Sequence, residues 1–475
     1  MSTFTSYLLL FFGGIIFIYM LLVIFSYSMM FLYALLQLRK EYKLDKHESN
    51  EELSDITYVK PVSIIVPAYN EEAGILDSVH SLLSLSYPQM EVIVVNDGSS
   101  DKTQDKMIAH FQMEPVQKVI RQQLDTKPVT AVYRSAIHPN LLFITKQNGG
   151  KADALNAGIN LSKYPYFCSI DGDSILESTS LLKVMKPIIT SNEEVVASGG
   201  SIRIANGTDI QMGSIMSVSL SEKSLVIMQV IEYLRAFLVG RVALSKHNMV
   251  LIISGAFSVF SKKWVIEAGG YEKNTVGEDM ELVVRLHRMM KEQKKSSNRI
   301  VFVPDPVCWT EAPENIKDLR RQRTRWHRGL LESLWKHRKM TLNPKYGAVG
   351  MISFPYFWLI ECLGPLIELG GYTYIVFAFF TGGIYFEFAI ILAFLFILYG
   401  SVFSMISVLF EAWALKTYPK ITDLIRLFMY SFTEVFWYRP LTIFWRCEGI
   451  LQFFLKRSEW GHMERKGLSR KGLEE

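Results

Sequence analysis

Two kinds of hydrophobic pattern divide the chain. Residues 7–36 and 348–415 are long blocks made mostly of Leu, Ile, Phe, Val and Tyr, and uncharged apolar runs beyond about 18 residues read as helices that cross a membrane. Between them the apolar runs shorten to strand length. "VSIIVPAYNE" and "MEVIVVNDGSSD" are β-branched runs that end in turn residues, and the stretch between them, 73–85, has helical character. This predicts a β-α-β unit of a parallel sheet. Further strands are expected at 141–145, 166–170, 195–204, 256–260 and 299–303, and helices at 152–161 and 222–242. Strands alternating with helices make an α/β domain whose sheet is covered on both faces, so groups that do chemistry belong beyond the carboxyl ends of the strands.

The first apolar run predicts an anchor rather than a cleaved leader. No basic segment precedes it, its apolar core far exceeds about 15 residues, and no small-residue cleavage site follows. The basic "RKEYKLDKHE" directly after it marks a cytoplasmic side, which puts the N-terminus outside. The expected organisation is an N-terminal transmembrane helix over 1–38, a linker over 39–60, a cytosolic domain over 61–340, transmembrane and interfacial helices over 341–457, and a basic cytoplasmic tail over 458–475. Within the C-terminal block, 346–381 carries Pro355, Glu361, Pro365 and Glu368, which are costly against lipid, so part of it is expected in the interface or lining a cavity. Residues 386–415 read as a clean span and "KTYPK" as a cytoplasmic loop. The segments 421–438 and 441–455 carry Arg426, Glu434, Arg439 and Arg446 and read as a short hairpin or as interfacial helices.

Composition supports this picture. Hydrophobic residues make up 49% of the 475 positions and mean hydropathy is +0.18, high for a soluble enzyme. A net charge of +5 is small for the size, is accounted for by juxtamembrane basic residues, and does not argue for nucleic acid. Cys168, Cys308, Cys362 and Cys447 are far apart without a CxxC pair, which suggests neither a zinc site nor a disulfide framework.

Acidic residues gather at the ends of apolar strands, where a packed core gives no reason for them. "VIVVNDGSS" ends in Asn96, Asp97 and Gly98, and "YFCSIDGDS" ends in Asp171, Gly172 and Asp173. Two carboxylates one residue apart at a strand end can reach one cation, and oxygen ligands suit Mg²⁺ or Mn²⁺; an Asx-rich turn that caps a helix is the other reading of the same triplet. In "NTVGEDMELVVRLHR", Glu278 and Asp279 stand at a helix entry, where acidic residues complement the helix dipole or take a proton from a hydroxyl. In "DLRRQRTRWHRGLLESLWKHRK", Gln322, Arg325 and Trp326 are spaced i, i+3 and i+4 and share one helix face. Arg320, Arg321, Arg323 and Arg328 fall outside that set and are expected to meet anionic headgroups at the membrane surface.

In order, "VPAYNE", "VNDGSSD", "KQNGGKADALNAG", "DGDS", "SGAFSVF", "GEDMEL" and "QRTRW" resemble the motifs of the family-2 glycosyltransferases, specifically the membrane-embedded processive poly-N-acetylglucosamine, chitin, hyaluronan and cellulose synthases. The resemblance runs from about residue 62 to 329. It implies an α/β, GT-A (Rossmann-like) cytosolic glycosyltransferase domain flanked by transmembrane and interfacial helices, in a multi-pass plasma-membrane protein. It implies donor binding by Ala68, Tyr69, Glu71, Asp97, Lys151, Asp171, Asp173 and Arg325, with Asp97 toward uracil, Arg325 toward the departing diphosphate, and Asp173, with Asp171, at a Mg²⁺ or Mn²⁺ ion. Asp279, beside Glu278, is the implied general base, which makes the reaction inverting. Gln322, Trp326, Ser254 and Gly255 are the implied acceptor-binding residues. Glu232, Arg235 and Arg241 are expected either near the glycan path or on a solvent-facing helix. The implied partners are a UDP-sugar donor, with UDP-N-acetylglucosamine preferred over UDP-glucose, a growing glycan acceptor, the lipid bilayer, and accessory export or modification proteins, with no nucleic acid. The alternative is a membrane transferase that adds a single sugar to a lipid or polyprenyl-phosphate acceptor. A non-catalytic scaffold is disfavoured by the presence of Asp97, Asp171, Asp173 and Asp279 together.

Overall fold

A computed structural model describes residues 3–45, 59–293, 297–381 and 386–456. The expected tail, 458–475, and most of the expected linker lie outside these residues. The chain begins with helix α1 (Thr3–Asp45), which continues past the expected boundary at residue 38. Among the described residues, three helices are long and apolar enough to cross a membrane: Leu10–Lys40, Val349–Phe377 and Glu387–Leu415. Leu10, Phe11, Ile18 and Phe25 of α1 are exposed, and an apolar face of that extent belongs against lipid rather than water. Its other face packs on the C-terminal helices, with Phe31 stacked on Phe403 at 5.1 Å between ring centroids. These features make the protein membrane-associated.

Ten strands form one sheet: β1 (Val62–Ala68), β2 (Met90–Asn96), β3 (Met113–Pro115), β4 (Val129–Ser135), β5 (Leu141–Lys146), β6 (Tyr166–Ile170), β7 (Ile175–Leu176), β8 (Val195–Ile204), β9 (Phe257–Ser261) and β10 (Arg299–Thr310). Their order across the sheet is β3-β4-β5-β2-β1-β6-β9-β8-β10-β7. The central strands β5, β2, β1 and β6 are parallel, and β1 is buried along its whole length, as a strand covered on both faces must be. The sheet is mixed, however, and not parallel throughout as the β-α-β pattern suggested. Strand β9 runs antiparallel to both β6 and β8, and β3, β4 and β7 also pair antiparallel.

That reversal positions the site. The carboxyl ends of β1, β2, β5 and β6 share one edge, so the loops after them emerge together. Because β9 runs the other way, with Phe257 opposite Ile170, the residues that precede it, Ser254 to Ala256, reach the same edge. Four more helices frame it: α2 (Lys151–Leu161), α3 (Ser224–Leu234), α4 (Glu278–Glu292) and α5 (Ile316–Lys336). The expected helix 222–242 divides: α3 ends at Leu234 and a wider π-helical turn, Arg235–Arg241, follows.

The C-terminal region explains its own polar residues. Glu368 makes a two-pronged ion pair with Arg439 at 2.9 and 3.0 Å, and Glu361 meets Arg446 at 3.4 Å. Both arginines lie on the last described helix, α6 (Tyr438–Phe454), so these carboxylates are paired within the protein rather than turned to lipid. Helix Ile421–Thr433 buries Asp423, Leu427 and Ser431 and leaves Ile421, Ile425, Met429 and Phe432 exposed. A helix with its apolar face turned outward has the form of an interfacial one.

Candidate functional site

Beyond the strand ends lies a cavity of about 350 Å³ whose walls include Lys151, Asp171, Asp173, Ser254, Gly255, Glu278, Asp279, Gln322, Arg325 and Trp326. These residues, up to 175 positions apart in the chain, are brought together by the shared sheet edge and the two helices α4 and α5.

Asp279 is fixed by backbone. Gly255 N–H donates to its Oδ2 at 3.1 Å, and Met280 N–H donates to its Oδ1 at 2.8 Å. The first bond explains the glycine, because a Cβ at position 255 would stand 2.9 Å from that same oxygen. The carboxylate is thus held in one orientation on the cavity wall. Glu278, beside it, is buried. Burial and the neighbouring Asp279 charge push its carboxyl up to about 7, against the opposing pull of Lys151.

Lys151 opens α2, and its Nζ lies 2.5 Å from Asp171 Oδ1 and 3.9 Å from Glu278 Oε1. Burial alone would lower this ammonium, but the charges of Asp171 and Glu278 outweigh it and raise its pKa, keeping it a cation. Gly150, at φ 86°, turns the chain into α2. Among the described residues no three His, Cys, Asp or Glu side chains converge as a metal cage. The donor set present is Asp171 and Asp173, oxygen only, on the cavity wall. That fits Mg²⁺ or Mn²⁺, ions that commonly take one or two carboxylates and complete their shell with substrate phosphates and water.

Other expected donor residues lie at the same sheet edge but outside the cavity wall. Asp97 accepts from the N–H groups of Gly149 and Gly150, at 3.0 and 2.7 Å, and pairs with buried Lys146. It therefore secures the loop that carries Lys151. Burial raises its carboxyl pKa, opposed by Lys146 and the two amides. Ala68 is buried and its carbonyl accepts from Asp97 N–H at 2.9 Å, while Tyr69 is exposed. Glu71 lies against the Asp171–Asp173 turn, since a Cβ at Gly172 would meet its Cγ at 3.3 Å.

Gln322, Arg325 and Trp326 line the cavity together, as their helical spacing predicts. Arg323 does not face headgroups. It is 3% exposed, pairs with Glu232 at 2.6 Å, donates to Gln322 Oε1 at 2.5 Å and stacks on the Trp326 ring at 4.4 Å. Tyr438 hydroxyl, from α6, donates to the same Glu232 oxygen at 2.6 Å. Arg328 is also buried and pairs with Glu332 at 2.9 Å; only Arg320 and Arg321 of the expected headgroup set remain exposed. Glu232 and Arg241 line the cavity, and Arg235 pairs with Glu434 at 2.9 Å, so these three do not form a solvent-facing charged stripe.

Helices α4 and α5 meet backbone to backbone. A Cβ at Gly277 would stand 3.0 Å from Gly329 Cα, and one at Gly329 would stand 2.9 Å from Gly277 Cα. Glu332 on α5 accepts from Thr275 Oγ1 at 2.8 Å and from Val276 N–H at 3.0 Å. The carboxylate on α4 and the polar and aromatic face of α5 thus form one rigid unit.

Poly-beta-1,6-N-acetyl-D-glucosamine synthase of Staphylococcus epidermidis is 27% identical over 339 residues, covering 69% of this chain and 70% of that protein. The Staphylococcus aureus protein of the same name is 27% identical over 294 residues, 61% of this chain and 60% of its own length, so this match spans less than two thirds of that relative. A solved mannosyltransferase of Pyrobaculum calidifontis, in complex with GDP-Man and Mn²⁺, aligns over 89% of this chain and 99% of its own with 17% identity and a TM-score of 0.49. The profile of the glycosyltransferase like family 2 matches residues 60–329, which is more than half of the sequence and holds every cavity residue named above, and the chain belongs to that family.

Proposed function

We propose that this glycosyltransferase is an inverting, metal-dependent, processive synthase that builds a β-1,6-linked polymer from UDP-N-acetylglucosamine and passes it across the membrane. The glycosyltransferase unit spans 61–340 and works on the cytoplasmic side, with the N-terminus outside. The sugar and the linkage rest on the names of the staphylococcal relatives. The observation that carries the reaction type is the Asp279 carboxylate, held by two backbone amides on the wall of a cavity shared with Asp171, Asp173, Lys151 and Trp326.

In this reading Asp279 takes the proton of the acceptor's primary hydroxyl as that oxygen attacks the anomeric carbon. The bond from that carbon to the diphosphate oxygen breaks on the opposite side, so an α-linked donor gives a β-linked product and UDP leaves. Lys151 and Arg325 offset the charge on the departing diphosphate, and a guanidinium suits phosphate because its planar fork donates two bonds at once. A Mg²⁺ or Mn²⁺ ion held by Asp173, with Asp171, supplies further neutralisation of that charge when bound. Trp326, with Gln322 beside it, gives the acceptor sugar a flat face on which to lie.

Purified full-length protein in lipid nanodiscs, given labelled UDP-N-acetylglucosamine and Mg²⁺ or Mn²⁺, is expected to release UDP and make long polymer, and to stop when the metal is chelated. A product confined to chloroform-soluble monosaccharide conjugates would establish the single-sugar transferase instead.

A further inference from the structure

Arg241 closes the π-helical turn Arg235–Arg241. Ala236, Phe237 and Arg241 of this turn line the cavity wall together with Tyr233 of α3, and such turns recur at functional sites. The guanidinium is stacked on the Phe237 ring at 3.8 Å, which fixes its orientation. Its Nη1 is shut away from solvent and has no hydrogen-bond partner among the described residues. A buried N–H that no protein group satisfies is costly; on a cavity wall, a ligand oxygen removes that cost.

The position of Arg241 favours one ligand. Tyr233, on the same wall, lies 6.4 Å from Trp326 between ring centroids, and the charge of Asp279 bears on the guanidinium, so Arg241 belongs to the acceptor side. Apolar Phe237 and Ile252 share that wall. A carboxylated sugar would satisfy the guanidinium but would bring a second negative charge toward Asp279. A neutral carbonyl carrying a methyl group meets the donor and the apolar surface together. We propose that Arg241 is a specificity-determining residue of the acceptor subsite, donating to the carbonyl oxygen of an acetamido group on the terminal sugar while its methyl rests on Phe237 and Ile252. This rests on the reading that the acceptor is an N-acetylglucosamine polymer.

The test uses the full-length protein with UDP-N-acetylglucosamine and three defined β-1,6 oligosaccharide acceptors, ending in N-acetylglucosamine, glucose or glucuronate. The wild type is expected to favour the acetylated acceptor over the glucose one by at least about tenfold in kcat/KM, as sites built around a hydrogen bond do. In Arg241→Met that ratio is expected to fall to within about twofold through a higher KM for the acetylated acceptor, with UDP affinity by calorimetry retained. Arg241→Lys keeps a donor and is expected to retain part of the preference. A wild type that does not discriminate, or prefers the glucuronate acceptor, overturns the acetamido subsite, as does Arg241→Met with its preference intact or with its loss confined to donor binding. A wild type that transfers to none of the three overturns the functional reading itself.

Discussion

At the scale of single residues, Asp279 and Glu278 are neighbours with different duties. Asp279→Asn keeps the shape of the group and removes the proposed base. It is expected to lower transfer by about 10² to 10⁴-fold while UDP binding measured by calorimetry stays within about twofold of wild type; a variant that loses UDP binding would assign Asp279 to the donor. Glu278 predicts a pH effect of definite sign. Its folded carboxyl holds a proton up to about 7 against an ordinary value of 4.5, so its contribution is fully present below about 4.5 and is lost as pH rises through about 7. Without nucleotide, the melting temperature of wild type is expected to drop more between about pH 5 and pH 8 than that of Glu278→Gln, and parallel curves would count against the raised carboxyl. The placement of the acidic residues and of the Gln322, Arg325, Trp326 face on one cavity was legible because strand ends and helical spacing depend on local sequence, whereas Lys151 was implied only by the family resemblance. Arg323 was not legible. Nothing within a run of arginines tells which one turns inward, and the partner that decides it, Glu232, is 91 positions away.

Elements show which geometry local sequence does not encode. An apolar run marks a strand but not its direction, so the reversal of β9, which brings Ser254 and Gly255 to the site, was invisible. Strand β4 was missed because it is only partly buried and alternates with polar residues. The join between α4 and α5 was hidden in two unremarked glycines, Gly277 and Gly329. Gly329→Ala sets a methyl against the Gly277 backbone, and overpacking of this kind costs about 1–3 kcal/mol. A lowered melting temperature together with a lowered kcat is expected, because spreading the helices separates Asp279 from the acceptor face; unchanged kcat at full occupancy would mean the two helices act independently. Arg323→Met tests the other support of that face. With Gln322 and Trp326 released, products are expected to shorten and acceptor KM to rise by at least about tenfold, in line with the roughly 10²-fold cost of a 1 Å misplacement. Wild-type chain length in this variant would make Arg323 a purely structural residue.

Over the whole molecule, the division into apolar blocks around an α/β domain was readable because it depends on runs of tens of residues. How the blocks join was not, since those contacts are made by small residues and long-range ion pairs. Helix α5 is held on two sides. One is the Gly277 contact; the other is α6, where a Cβ at Gly449 would stand 2.7 Å from the Thr324 carbonyl and 3.1 Å from His327 Cβ. Thr324 Oγ1 also donates to the carbonyl of Trp445, on α6, at 3.2 Å. The helix that carries Trp326 is therefore fastened directly to one whose exposed Phe444, Leu451 and Phe454 belong with lipid. Lateral pressure and acyl-chain length are then expected to bear on the rate of sugar addition. Reconstitution into bilayers of graded thickness is expected to change turnover while leaving nucleotide affinity constant, so that the physical state of the lipid sets the pace of synthesis.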